Sequence, residues 1–156
     1  MTNAPPAATR ARQHWLSVLA RAPRAALAAQ AGQLALESFE SLRAPETGRA
    51  MVRARIGNQG NRFNLGEATL TRCVVRHRGA HGAVSAGVGY VLGRDAERAG
   101  WVARFDALLQ QPEHHTRLMR ELVEPLARLV DAANAAQRAR TAASRVQFFT
   151  LQPETT

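Results

Sequence analysis

The sequence contains no lysine. All 21 of its basic residues are arginine, set against 12 acidic residues, for a formal charge of +9. Without lysine there is no phosphate-binding loop of the GxxxxGK[ST] kind. What replaces it is a planar guanidinium fork that pairs bidentately with phosphate and carboxylate. Codon bias in a GC-rich genome, which also fits the abundant alanine, accounts for the choice of arginine but does not remove its consequence. An excess of this size favours anionic partners. The single cysteine, Cys73, excludes an internal disulfide and a cysteine-rich zinc site, and nothing points to an oxidising compartment. Aromatic residues make up only 5% of the chain. Most lie on apolar stripes, whereas a single-strand nucleic-acid binder presents exposed stacking rings among its cations. No apolar run approaches the ~20 residues of a membrane helix. The stretch MTNAPPAATRARQHW has no apolar segment before its first arginines, so no signal peptide is expected and the cytoplasm is the expected location.

With 156 residues, 46% of them apolar, the chain can build one substantial core. Residues 1–8 read as a disordered tail and 153–156 as a second tail, leaving 9–152 as a single α+β domain. From Thr9, a candidate N-cap, Trp15, Val18, Leu19 and Ala22 recur at helical spacing. Pro23 opens a second helix that Gly32 would close. The period then shortens. LALESFESLR (34–43) and GRAMVRARIG (48–57) read as strands separated by a turn at PETG (45–48). The second would bury Ala50, Val52, Ala54 and Ile56 and point Arg49, Met51, Arg53 and Arg55 outward. After a turn at GNQGN (57–61), RFNLGEATLTRCVVRH (62–77) reads as a turn followed by a central strand after Gly66, with Arg72 and Arg76 on one side. AVSAGVGYVLG (83–93) is a fourth strand, giving a mainly antiparallel meander. Helical spacing returns over 96–111, capped by Asp95 and ended by Pro112. It continues through Leu118, Met119, Leu122 and Val123, and restarts at Pro125 with Leu126, Leu129 and Val130. SRVQFFTLQ (144–152) would add a short terminal strand or dock on a partner through Phe148 and Phe149.

No self-contained catalytic constellation emerges. Gly87, Gly89 and Gly93 approach a dinucleotide fingerprint, but the third glycine is one residue late. A twisted strand packed closely on a neighbour is the better reading. His14, His77, His81, His114 and His115 show no metalloprotease spacing, so no metal site is expected within the chain. Ser85, Thr71 and Cys73 lack a paired base, and Cys73 reads as a small buried hydrophobe. Glu67 stands out as the carboxylate placed beside Arg62 and Arg72. Arg53, Arg55, Arg62, Arg72 and Arg76, from neighbouring strands, would form one basic patch. It suits a subunit interface or a phosphate-bearing substrate better than nucleic acid.

TRARQHWLSVLAR, PETGRAMVRAR, RFNLGEATLTRCVVR, GYVLGRD with RAGWVARFDALLQQ, and SRVQFFT occur in that order. In order and spacing they resemble the G subunit of the bacterial carbon–phosphorus lyase core complex, from about Thr9 to Thr150. The resemblance implies a hetero-oligomeric assembly with H, I and J subunits and ATP-binding-cassette-like K and L proteins. It implies a part in the transfer of a phosphonate to the ribose C1′ of ATP with release of adenine. ATP and phosphonate are then substrates of the complex, and no cofactor is expected on this chain alone. That chemistry is usually assigned to the I subunit, so a largely structural role follows here, with no catalytic residue to carry over. The alternative from the residues alone is a basic module binding nucleic acid or another polyanion, and salt-sensitive binding by the isolated chain would mark it.

Overall fold

The computed structural model describes residues 5–56, 59–80 and 82–144. Two helices, α1 (Ala7–Arg21) and α2 (Arg24–Ala31), lead through a 3-10 turn (Gly32–Leu36) into three strands, β1 (Phe39–Arg55), β2 (Arg62–Arg78) and β3 (Val84–Leu92). Helices α3 (Ala96–Leu109), α4 (Pro112–Leu118) and α5 (Glu124–Ala143) follow, with a π turn at Met119–Val123 joining the last two. The sheet is antiparallel in the order β1-β2-β3. The α+β class and the meander therefore hold, with three strands among the described residues rather than four.

The difference lies in one place. The expected strands 34–43 and 48–57 are a single 17-residue strand, and PETG lies inside it. Among the described residues β1 pairs only with β2, so it is an edge strand of the described sheet. There a proline can sit with no ladder bond to lose, and the register shifts across it between Arg43 and Glu46. Residues 34–36 belong to the 3-10 turn, whose Leu34 is buried. Gly32 continues the helical path in right-handed geometry instead of closing α2. Helix α1 starts at Ala7 behind Pro6, two residues before the expected cap at Thr9. The expected turn at RFNLG is the first part of β2. Asp95 caps α3 as read, its side chain accepting a hydrogen bond from the Arg98 amide at 3.0 Å. Of the proposed terminal strand at 144–152, Ser144 is the C-cap of α5, and the rest lies outside the described residues.

One face of the sheet carries the core. Thr71, Cys73, Val75 and His77 of β2 and Ser85, Gly87, Gly89 and Val91 of β3 alternate inward beneath α3. The β3 glycines set the distance between layers. A Cβ on Gly87 would lie 1.9 Å from the Ala103 carbonyl oxygen, and one on Gly89 would lie 2.0 Å from that of Ala99. Ala99, Ala103 and Ala107, spaced four apart, form the helix stripe that meets those positions, and all three are fully buried. These glycines are thus close-packing positions, not a dinucleotide loop. Trp15, Val18, Leu19, Ala22, Phe105, Leu108, Leu118, Leu122, Leu126 and Val130 complete the core as the stripes predict, while Leu129 is exposed. The buried carboxylate of Asp106 binds α1 to this layer. It accepts from the indole of Trp15 (2.8 Å), from the guanidinium of Arg12 (2.7 Å) and from the Val88 amide of β3 (2.9 Å). Among the described residues no helix is long and apolar enough to cross a membrane.

Candidate functional site: a projecting ribbon and a histidine–glutamate cluster

β3 pairs with β2 only from Leu70 to Arg78. Beyond Leu70, among the described residues, the hairpin continues as two strands alone, residues 48–55 opposite 62–70, and no residue from Arg62 to Glu67 is buried. The predicted buried face of this segment does not exist. Ala50 and Ala54 are half-buried, while Val52 and Ile56 are exposed. So are Met51, Phe63 and Leu65, with Ile56 67% and Leu65 64% accessible. The ladder slips between Val52 and Arg53, where Leu65 is the extra residue beside Gly66. An isolated two-stranded ribbon is only marginally stable in water. Exposed apolar side chains grouped on such an arm mark a surface for another macromolecule.

The expected arginine patch separates into two. Arg72 and Arg76 lie on the helix-covered half of the sheet, on its outer face, and each has its acid. Arg72 Nε donates to Glu46 Oε1 at 2.5 Å, with Arg43 on the same carboxylate at 3.1 Å, and Arg76 Nε donates to Glu40 Oε2 at 3.0 Å. Hydrogen bonding from Arg76 holds the Glu40 carboxyl below the ordinary glutamate value, and hydrogen bonding from Arg72 does the same for Glu46. Arg53, Arg55 and Arg62 lie on the ribbon, Arg55 directly across from Arg62. Ten residues of strand separate Arg62 from Arg72, roughly 30 Å. Among the described residues, none of these three pairs with a carboxylate. Arg55 donates only to the Gly60 carbonyl oxygen, at 3.3 Å. Glu67 does not join Arg62 or Arg72. It pairs with Arg49 across the ribbon at 2.9 Å. Phe148 and Phe149 lie outside the described residues.

The residues considered as nucleophiles are structural. The Ser85 hydroxyl donates to the Ala107 carbonyl and accepts from Gln111, both buried contacts. Thr71 donates to the Gly93 carbonyl oxygen at 2.7 Å and accepts from the Asp95 amide. Cys73 is buried, and burial pushes its thiol pKa up, away from the reactive thiolate.

A second constellation escaped the sequence reading. Glu37, at the exit of the 3-10 turn, His77, near the end of β2, and His114, in the first turn of α4, converge. One ligand atom from each lies within 4.8 Å of the others. His77 is 2% exposed, and its Nδ1 lies 3.0 Å from the Ser38 carbonyl oxygen. Because that oxygen only accepts, Nδ1 carries a proton, and Nε2 is the ring atom aimed into the cluster, where the Nδ1–H tautomer offers a lone pair. Nε2 has no hydrogen-bond partner. The nearest groups are Glu37 Oε2 at 3.7 Å and, across the cluster, the His114 Nε2 that lies 3.5 Å from Glu37 Oε1 and 3.6 Å from Glu113 Oε1. Segments 37 and more residues apart meet here only through the fold, so no spacing in the sequence could have indicated it.

Comparison with known proteins agrees with the resemblance. The family model described as phosphonate metabolism protein PhnG matches residues 10–152. A protein of Rhizobium meliloti (strain 1021) named alpha-D-ribose 1-methylphosphonate 5-triphosphate synthase subunit PhnG is 46% identical over 110 residues, which cover 70% of this chain and 67% of that protein. The match takes in α1 from Arg10 onward, the ribbon, the glycine-bearing β3 and the alanine-striped α3. The chain belongs to the PhnG family of phosphonate metabolism proteins.

Proposed function

We propose that the chain is a largely structural subunit of an α-D-ribose 1-methylphosphonate 5-triphosphate synthase, and that its β1–β2 ribbon is the arm by which it enters the complex. In this reading the H, I and J subunits and the K and L proteins are the partners, the cytoplasm is the setting, and ATP and a phosphonate are the substrates. Phosphonate oxygen replaces adenine at the ribose C1′, and the I subunit supplies the groups that act on that bond. The observation that carries the reading is the ribbon itself. It combines exposed Met51, Val52, Phe63 and Leu65 with three arginines that have no acid partner among the described residues. Apolar side chains supply burial on docking, and Arg53, Arg55 and Arg62 would meet acidic side chains or the triphosphate at the rim.

The test is co-expression with the I and H subunits, followed by adenine release from ATP and methylphosphonate once L is added. A Phe63→Ser, Leu65→Ser double variant should keep the thermal midpoint of the isolated chain yet fail to co-purify. Replacing Arg53, Arg55 and Arg62 by alanine should weaken association at least tenfold. Wild-type assembly and adenine release by both variants would remove the ribbon from the interface. Failure of the wild-type chain to co-purify, with salt-sensitive binding to nucleic acid instead, would put the polyanion-binding reading in its place.

A further inference from the structure

We propose that Glu37, His77 and His114 form a binding site for one divalent ion of the zinc class, with Glu113 positioned as a fourth ligand. The donor set is two imidazoles and a carboxylate, the borderline donors that such ions take. The spacing is close to what coordination needs. Ligand atoms about 2.0–2.1 Å from a tetrahedral ion lie about 3.3 Å from one another. Glu37 already stands 3.5 Å from His114 and 3.7 Å from His77. Rotamer changes at two partly exposed side chains close the remainder.

The buried ring supplies the independent observation. His77 is fixed in one tautomer by its Nδ1–H bond to the Ser38 carbonyl, the outer contact that orients metal-binding histidines. Phe39 packs against the ring, with centroids 5.2 Å apart, and limits its rotation. The result is an Nε2 lone pair held in place, buried and without a donor, facing a carboxylate that cannot donate either. A buried acceptor facing a half-buried carboxylate is unfavourable unless a cation lies between them. Gly79, just beyond β2, leaves the room that Glu113 uses. A Cβ there would fall 2.8 Å from Glu113 Oε1. The ion would join the entry to β1, the end of β2 and the start of α4, three segments that the cluster otherwise holds by weak contacts alone.

The experiment uses the full chain, stripped with a chelator and dialysed, then titrated with Co(II) followed by visible absorption and with Zn(II) followed by calorimetry. One equivalent of Co(II) should bind with the intense spectrum of a tetrahedral site and be displaced by Zn(II). Zinc at a hundredfold excess over its Kd should raise the thermal midpoint by about 5 °C or more. His114→Ala and Glu37→Gln should each weaken binding at least tenfold with unchanged far-UV circular dichroism. His77→Leu, which refills the ring's volume, should abolish it, and His14→Ala on the exposed side of α1 should leave it intact. The proposal is overturned by the absence of stoichiometric binding, or by binding indifferent to the three ligand substitutions. It is also overturned if metal-free protein gains the same stability only as pH falls through the imidazole range, because a proton shared by His77 and Glu37 would then be the cation.

Discussion

The two halves of the β1–β2 hairpin are built from the same two strands, yet one is covered and the other bare. From Thr71 to His77 every second residue of β2 is buried beneath helices. From Arg62 to Glu67 none is. The alternation that defines a half-buried strand is present in both sequences, with Ala50, Val52 and Ala54 as regular as Thr71, Cys73 and Val75. Alternation reports that one face is apolar. It does not report what covers that face, and for the ribbon nothing within the described chain does. An alternating strand left bare in the monomer is what a subunit in search of a partner should display.

The strongest way to break this comparison is a methyl group placed on each half. Gly87→Ala drives a Cβ into the backbone of α3 at Ala103, where neither side can yield cheaply, and should cost about 3 kcal/mol. Gly48→Ala, in β1 at the root of the ribbon, meets nothing within 4 Å and should be neutral within about 0.5 kcal/mol. Urea unfolding of both variants decides the matter. Equal effects at the two sites would mean that α3 does not lie on β3 as described.

A sharper view of the same contrast comes from amide exchange. Amides of β2 between Leu70 and His77 are held in ladders on both sides under a helix, and should exchange only on opening of the whole core. Those between Phe63 and Glu67 pair with β1 alone and belong to exposed residues. They should exchange at least a hundredfold faster in the isolated chain, and slow to core-like rates once the complex forms. Uniform protection along β2 in the isolated chain would show that the ribbon is already stabilised without a partner.

How far this architecture could be read in advance depended on whether the determining contacts were local. Asp95 at the head of α3, the Trp15–Val18–Leu19–Ala22 stripe and the central placement of 68–75 follow from capping and periodicity, and all hold. PETG misled because its turn chemistry is real but outweighed. Pro45 sits on an edge strand, where the missing amide goes unnoticed. The arginines misled because alternation places residues on faces but not along the sheet, so cations roughly 30 Å apart read as one patch. Glu67 was assigned by nearness in sequence and proved to be paired across the ribbon with Arg49. Asp106 and the Glu37–His77–His114 cluster had no local signal at all, since each is assembled from three separate segments.

The smallest expected effect concerns acid. Glu40 and Glu46 sit on the covered half, on its outer face, with carboxyls held below the ordinary glutamate value chiefly by hydrogen bonds from Arg76 and Arg72. In the unfolded chain those partners are gone and the carboxyls titrate near their ordinary value of about 4.3. The folded state therefore binds fewer protons than the unfolded state in this range. The stabilisation is fully present above that value and is lost as pH falls through it toward the depressed folded values. Both pairs are exposed, so salt screens them and the change is slight. Thermal midpoints measured from pH 7 to pH 3 at low salt should fall less steeply for a Glu40→Gln, Glu46→Gln double variant than for the unaltered chain. Arg49→Ala, which removes the matching ion pair on the ribbon, should leave the profile unchanged, because an arm that opens by itself does not report on unfolding of the core. A profile altered equally by both changes would show that ribbon and core unfold as one unit, and the distinction between the two halves of the hairpin would then be one of exposure and not of stability.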